Sequence, residues 1–222
     1  MYFLNGVYYT GSTSAAQTVT SWLAPSSFGY ITTVYDQSGN GKDATQGDTS
    51  LQGKFNPVDA LIDFTGGNYF MNMHASSFNP GDSPYSWVVS HGVINNNRGG
   101  IFGVGSIGDR RCINVRTCND CVQGQITYLD YWWANDYAFG QYTAGNVVSE
   151  TYDLSNRRAY INGALVKTQP TSNHELWIDG QPAYLGHTLV FWAPENLDGQ
   201  IHFLVIANTA LSDSDRQLLE RC

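Results

Sequence analysis

The stretch Asp130-Tyr131-Trp132-Trp133-Ala134-Asn135-Asp136-Tyr137 concentrates the residue types best suited to holding a ligand. Adjacent side chains on a strand point to opposite faces, so one of the two tryptophans enters a core while the other lies on an outer or concave face. A Trp132 ring exposed beside Asp130, Asn135 and Asp136 would let a sugar ring stack while its hydroxyls find donors and acceptors. The same pattern also fits two packing tryptophans, one of them under a loop. Phe191-Trp192-Ala193-Pro194 is a second aromatic pair, and Trp192 could line the same mouth.

Asp36-x-Ser38-x-Asn40-Gly41 spaces oxygen ligands at alternate positions before a glycine, as in the opening of a calcium loop. A full loop of that type ends in a bidentate Glu, but Gly47 stands at that place, so an Asx-rich turn bonding its own backbone is the competing reading. Calcium at Asp36, Ser38 and Asn40 is therefore a candidate and nothing firmer. Cys112, Cys118, Cys121 and Cys222 allow two disulfides in an oxidising compartment, with three pairings open. A zinc knuckle is disfavoured, because Cys222 is remote and no His flanks the cluster at structural-site spacing. The histidines at 74, 91, 174, 187 and 202 sit in no nucleophile motif, and Gly-x-Ser-x-Gly is absent.

Any such site has to be positioned by the rest of the chain. The 222 residues include 19 acidic against 11 basic ones, a net charge of −8, and the only lysines are Lys42, Lys54 and Lys167. A phosphate backbone would meet repulsion, so nucleic acid is a poor partner. No run approaches the roughly 20 apolar residues that span a bilayer, so membrane insertion is not expected. The first residues lack the basic and apolar regions of a signal peptide, so a secreted protein would be expected here in mature or truncated form. With 14% charged residues, 23 Gly and 14 Tyr, the composition is that of a compact β protein rather than of long helices or a disordered chain.

Short β-rich runs separated by turn residues recur along the chain. Strands are predicted over residues 31–35, 61–64, 69–73, 86–93, 100–104, 112–116, 125–132, 147–152, 158–161, 183–185 and 200–207. Residues 147–163 read as antiparallel strands about an Asp153-Leu154-Ser155-Asn156 turn, with Asn162-Gly163 as the next tight turn. Ser212 followed three residues later by Asp215 resembles a capping box, so a short C-terminal helix is expected to seal one end of the sandwich. One domain is expected over 1–222, with 1–30 as an N-terminal extension or edge strand.

In this order the segments resemble the concanavalin A-like, laminin G-like jelly-roll superfamily. The resemblance runs through Val34-Tyr35-Asp36-Gln37-Ser38-Gly39-Asn40-Gly41-Lys42-Asp43-Ala44-Thr45-Gln46, Ile62-Asp63-Phe64-Thr65-Gly66-Gly67, Tyr160-Ile161-Asn162-Gly163, Tyr184-Leu185-Gly186, Leu197-Asp198-Gly199-Gln200-Ile201 and Ala210-Leu211-Ser212-Asp213. It implies an all-β, two-sheet antiparallel sandwich with extracellular glycan- or protein-binding roles, sometimes with calcium. The Tyr35-to-Gly41 segment also resembles the opening of concanavalin-type α-L-arabinofuranosidase catalytic domains.

That second resemblance implies one acid on a mid-chain strand and another after an Ile-Leu-Gly strand. Asp130 or Asp136 could supply the first, but His187-Thr188-Leu189 follows Gly186, so only a displaced Glu195 could supply the second. The Glu-x-Asp-x-x-Glu run of jelly-roll glucanases is absent, and Glu150 and Asp153 fall on opposite faces of a regular strand. The reading that follows is a non-catalytic extracellular recognition or adhesion module, secreted or on a cell or virion surface, with glycan as ligand. An arabinofuranosidase-like hydrolase and a self-associating structural subunit of a filament, coat or phage tail are the alternatives. In the last, edge strands or residues 2–9 pair with a neighbour.

Overall fold

A computed structural model describes residues 2–3, 29–56, 61–95, 99–105, 112–118, 125–129, 137–141, 146–170, 175–176, 178, 180–188 and 195–221. In chain order its first strands are β1 (Tyr2–Phe3), β2 (Gly29–Tyr30), β3 (Thr33–Val34), β4 (Ala44–Thr45), β5 (Lys54–Asn56), β6 (Leu61–Asp63), β7 (Met71–Asn72), β8 (Gly81–Asp82), β9 (Tyr85–Ile94), β10 (Gly100–Gly105) and β11 (Cys112–Cys118). There follow β12 (Gln125–Leu129), β13 (Tyr137–Gln141), β14 (Val147–Tyr152), β15 (Asn156–Ile161), β16 (Ala164–Pro170), β17 (Glu175–Leu176), β18 (Ala183–Leu185), β19 (His187–Thr188), β20 (Glu195–Asn196), β21 (Gly199–Ala207) and helix α1 (Asp213–Leu219).

Two antiparallel-rich sheets face each other as a jelly-roll sandwich. The first runs β16-β15-β14-β9-β21-β6-β5-β2, with β1 also on β21. The second runs β13-β12-β11-β10-β18-β7-β4-β3, and the β19–β20 hairpin joins it through β10. Alternation along the strands decides what lies between them. Trp87 and Val89 of β9, Phe102 and Val104 of β10, Val115 of β11, Val148 of β14 and Leu185 of β18 all enter one buried cluster. Trp87 meets Phe102 edge to face across the sheets, with ring centroids 5.3 Å apart.

The predicted 147–152 and 183–185 strands have the observed bounds. Asn162 and Gly163 both have positive φ, 49° and 81°, the type I′ geometry that an Asn-Gly hairpin turn requires. Of the predicted 31–35 strand only Thr33–Val34 is β3, in the second sheet; β2 just before it belongs to the first, because the chain changes sheets between residues 30 and 33. β1 pairs with β21 of its own chain, Tyr2 opposite Leu204 and Phe3 opposite Phe203.

Helix α1 carries the expected cap: Ser212 Oγ accepts the Asp215 N–H and donates to the Asp215 carboxylate at 2.7 Å. Its seat is not the end of the sandwich. It packs on the outer face of the first sheet, where Leu219 covers the outward-facing Val88, Phe203 and Val205. Three outward apolar residues on the two central strands need such a cover.

Candidate functional site

On the second sheet, β7 and β18 send Met71, Ala183 and Leu185 into the core, so Phe70, Asn72 and Tyr184 take the opposite, outer face. Gly186 then bends the chain at φ 77° with the Phe64 ring only 2.6 Å from where a Cβ would be, a conformation and a clearance that need glycine. The bend brings His187 back beside Tyr184. The Tyr184 ring stands edge-on to Phe70 (5.4 Å) and to His187 (4.9 Å), and Phe70 leans on His187 at 5.5 Å.

Amides border these three half-buried rings. Asn196 Oδ1 lies 2.9 Å from His187 Nδ1, while Asn196 Nδ2 donates to Asn68 Oδ1 at 3.1 Å. Exposed Asn68 and Asn72 flank the rings. The arrangement presents ring faces and edges for a sugar's C–H surface and carboxamides for its hydroxyls.

Beneath this face lies a buried ion pair. Arg116 Nη1 of β11 donates to both oxygens of Glu195 of β20, at 2.7 and 2.8 Å, with the two side chains 12% and 6% exposed. The pair closes over Gly100 of β10, where a Cβ would come within 2.2 Å of Thr188 N and 2.6 Å of Glu195 O. Only a residue without a side chain lets β19 and β20 approach so closely. Thr188 Oγ1 and Arg116 Nε are buried beside the pair with no hydrogen-bond partner among the described residues.

Glu195 is the one sequence-predicted candidate acid within the described residues, and it is engaged by Arg116. Asp130, Trp132, Asn135, Asp136 and Trp192 lie outside them, as do Cys121 and Cys222. Cys112 is buried on β11 with its Sγ accepting from Asn114 Nδ2 at 3.2 Å, and the described residues contain no disulfide. Glu150 faces the core, fully buried, and accepts the Tyr85 O–H at 3.0 Å. Asp153 sits past the strand end, capping its turn and pairing with Arg158 at 2.6 Å.

The residues Asp36, Ser38 and Asn40 form an Asx-type turn. Asp36 Oδ1 accepts the Ser38 N–H, Oδ2 accepts the Ser38 O–H and the Lys42 N–H, and Asn40 Nδ2 donates to Ser38 Oγ. Among the described residues no three acidic, His or Cys side chains cluster as a metal site would require. Sequence reasoning passed over Arg116, Phe70 and His187 as functional residues. The alternation Ala183-Tyr184-Leu185, with small and apolar neighbours, was the available signal that Tyr184 faces outward.

Two histidines of the sheets, His91 and His187, are held below the ordinary imidazole value. Burial is the main cause for both His91 and His187; the Gly92 carbonyl opposes it in the first, Asn196 and the Glu195 charge in the second. Such groups bind fewer protons folded than unfolded. Their contribution is complete above the unfolded value of about 6.5 and is lost as pH falls from there through the folded values. Thermal unfolding midpoints should therefore drop between pH 7 and pH 5, and His187→Gln should flatten part of that slope. A midpoint that rises on acidification would contradict this.

No family model matches the chain, and no curated protein matches it by sequence. Solved structures do match its fold. A Ruminococcus gnavus IT-sialidase CBM40, also solved with α2,3-sialyllactose, is 17% identical with TM-score 0.50, covering 62% of this chain and 83% of that one. A botulinum neurotoxin type C structure concerned with cell entry through two ganglioside molecules is 14% identical with TM-score 0.59, covering 86% and 50%. Trypanosoma rangeli sialidase in complex with sialic acid is 13% identical with TM-score 0.59, covering 86% and 31%. The chain thus spans only part of the neurotoxin and sialidase chains. At these identities the likeness is one of fold: this chain is similar to the jelly-roll sandwiches of carbohydrate-binding modules and sialidases.

Proposed function

We propose that the protein is an extracellular, non-catalytic recognition module whose ligand is a glycan, bound on the outer face of the second sheet. The observation that carries this reading is the Phe70–Tyr184–His187 ring cluster bordered by Asn68, Asn72 and Asn196. The fold supports it, since sandwiches of this kind occur in a module solved with sialyllactose, a ganglioside-dependent toxin and a sialidase. A lysine-poor, aromatic-rich composition agrees with stacking and neutral hydrogen bonding rather than ion pairing. Trp132 and Trp192, with Asp130, Asn135 and Asp136, are proposed to extend the same binding surface. A disulfide among Cys118, Cys121 and Cys222 belongs to the same extracellular reading, whereas Cys112 is not bridged.

Catalysis gains less support. Glu195 is buried and bonded through both oxygens to one arginine nitrogen, so using it as an acid or nucleophile would mean breaking that pair. The binding reading is tested by calorimetric titration of the full chain with α2,3-sialyllactose, lactose and a panel of plant, fungal and bacterial oligosaccharides. Tyr184→Ala should weaken binding of whichever glycan is recognised about tenfold, as removal of a ring worth about 1–1.5 kcal/mol beyond its area implies. Asn72→Ala, at an exposed position, serves as the variant that leaves the core intact. No binding across the panel would overturn the reading.

A second reading, a self-associating subunit of a filament, coat or tail, rests on β16. Among the described residues this edge strand pairs only with β15, and Leu165 and Val166 on it are 56% and 41% exposed. Unpaired edges template further strands, and on β16 Lys167 and Pro170 oppose that. If the edge assembles, light scattering should show concentration-dependent growth that Leu165→Lys abolishes. A monomer at high concentration removes this reading.

A further inference from the structure

A cavity of about 510 Å³ opens between the 36–42 turn, the short helical turn at Ala75–Ser77 and the C-terminal end of β21. None of its lining residues belongs to the ring cluster. Its volume falls within the roughly 300–1,000 Å³ of small-molecule sites. What it can bind follows from which polar atoms are already spent.

Both charges in the wall are engaged from within it. Burial pushes the Asp36 carboxyl up, but it accepts from Ser38 twice and from the Lys42 backbone, and these bonds help hold it below the usual carboxylate range. Lys42 Nζ donates to Ser76 Oγ at 2.6 Å. Three neutral groups keep capacity to spare. Asn208 Oδ1 takes the Asn79 N–H at 2.9 Å, leaving both Nδ2 hydrogens. Asn40 spends Nδ2 on Ser38 Oγ, leaving Oδ1 as an acceptor. Ser76 accepts from Lys42 and so retains its own proton as a donor. Ile206, half-buried, supplies an apolar wall.

An anion at this place would face the Asp36 carboxylate and the Asn40 carbonyl oxygen, and a cation would face the Lys42 ammonium. Hydroxyl groups both donate and accept, and so satisfy donors and acceptors fixed in one wall. From this inventory we infer that the cavity is a second binding site, separate from the ring face, for one or two neutral sugar units. Asn208, Ser76 and Asn40 hydrogen-bond the hydroxyls, and a C–H face of the ring rests on Ile206.

The test is an amide-resolved NMR titration of the full chain with methyl β-D-glucopyranoside, methyl β-D-galactopyranoside and methyl α-D-mannopyranoside, with acetate and methyl phosphate as charged controls. At least one glycoside should shift the amides of Ser38, Asn40, Ser76 and Asn208 saturably. Asn208→Ala and Ser76→Ala should each weaken it about three- to tenfold, the worth of one neutral hydrogen bond. Tyr184→Ala should leave these shifts in place, so that failure of the ring-face reading and failure of this one are separable. The inference is overturned if no glycoside shifts those amides, if acetate or methyl phosphate shifts them more strongly, or if both variants, folded by their spectra, bind as the parent does.

Discussion

Arg116→Leu is expected to lower the unfolding free energy by about 3–5 kcal/mol, the cost of leaving a buried charge without its partner. Arg116 and Glu195 lie 79 positions apart in the chain and are both nearly excluded from water. The guanidinium approaches both carboxylate oxygens through one nitrogen. With the arginine gone, the Glu195 charge of β20 stays desolvated. Glu195→Gln keeps an acceptor for Arg116 and should cost less than the arginine loss. The double replacement Arg116→Leu with Glu195→Leu should recover much of the stability, because two apolar side chains remove the desolvation that the pair has to overcome. Urea denaturation of Arg116→Leu, of a single Glu195→Leu and of the double replacement closes a double-mutant cycle. Binding should fall too, since Asn196, which orients His187, is the neighbour of Glu195 on β20. A loss below about 1 kcal/mol for Arg116→Leu would mean the pair behaves as a solvent-screened one, and the site would lose its buried support.

This coupling was not legible in the chain, whereas much of the frame was. Alternation through Val147-Val148-Ser149-Glu150-Thr151-Tyr152 gave a strand with the observed bounds, because each second residue is buried against the opposite sheet. Glu150 obeys the same alternation, and its burial follows from Tyr85 supplying a hydroxyl from β9, a partner no spacing reveals. β16 escaped notice for the opposite reason: it is exposed along nearly its whole length, so no period of burial marks it. The split of residues 29–34 between two sheets is invisible to periodicity, since both pieces remain extended. Gly100 and Gly186 appeared in the sequence as two of many glycines. Their importance lies in the backbone and ring that approach them, contacts set by strands far away in the chain. The disulfide and the tryptophan-lined surface fall on Cys121, Cys222, Trp132 and Trp192, outside the described residues, and they remain proposals.

The C-terminal helix supplies the second large effect: Arg216→Ala should cost about 3–5 kcal/mol, well above the roughly 1 kcal/mol of losing the Ser212 cap. A capping box explains why a helix starts at Asp213, but its seven residues are too few to persist by propensity alone. Arg216 fastens it to the sheet. Its side chain is 2% exposed, and its guanidinium lies 3.5 Å from the centre of the Tyr160 ring. Nη1 donates to both Glu220 oxygens at 2.6 Å, and Nη2 reaches Asp213 at 3.2 Å. Glu220 also accepts from Ser149 Oγ of β14, so one network joins the helix to two strands. Removing the guanidinium strands the nearly buried Glu220 carboxylate, strips the Tyr160 face and uncovers Val88, Phe203 and Val205. Hydrogen exchange should then show amides 213–220 losing protection ahead of the β9 and β21 amides, with a lower midpoint in thermal unfolding. Arg216→Lys should recover little, because one ammonium cannot reach Glu220 and Asp213 from two nitrogens while resting on the Tyr160 ring. If Arg216→Ala leaves both midpoint and exchange unchanged, the helix is held by Leu219 and its apolar neighbours alone, and the ionic clasp contributes nothing net.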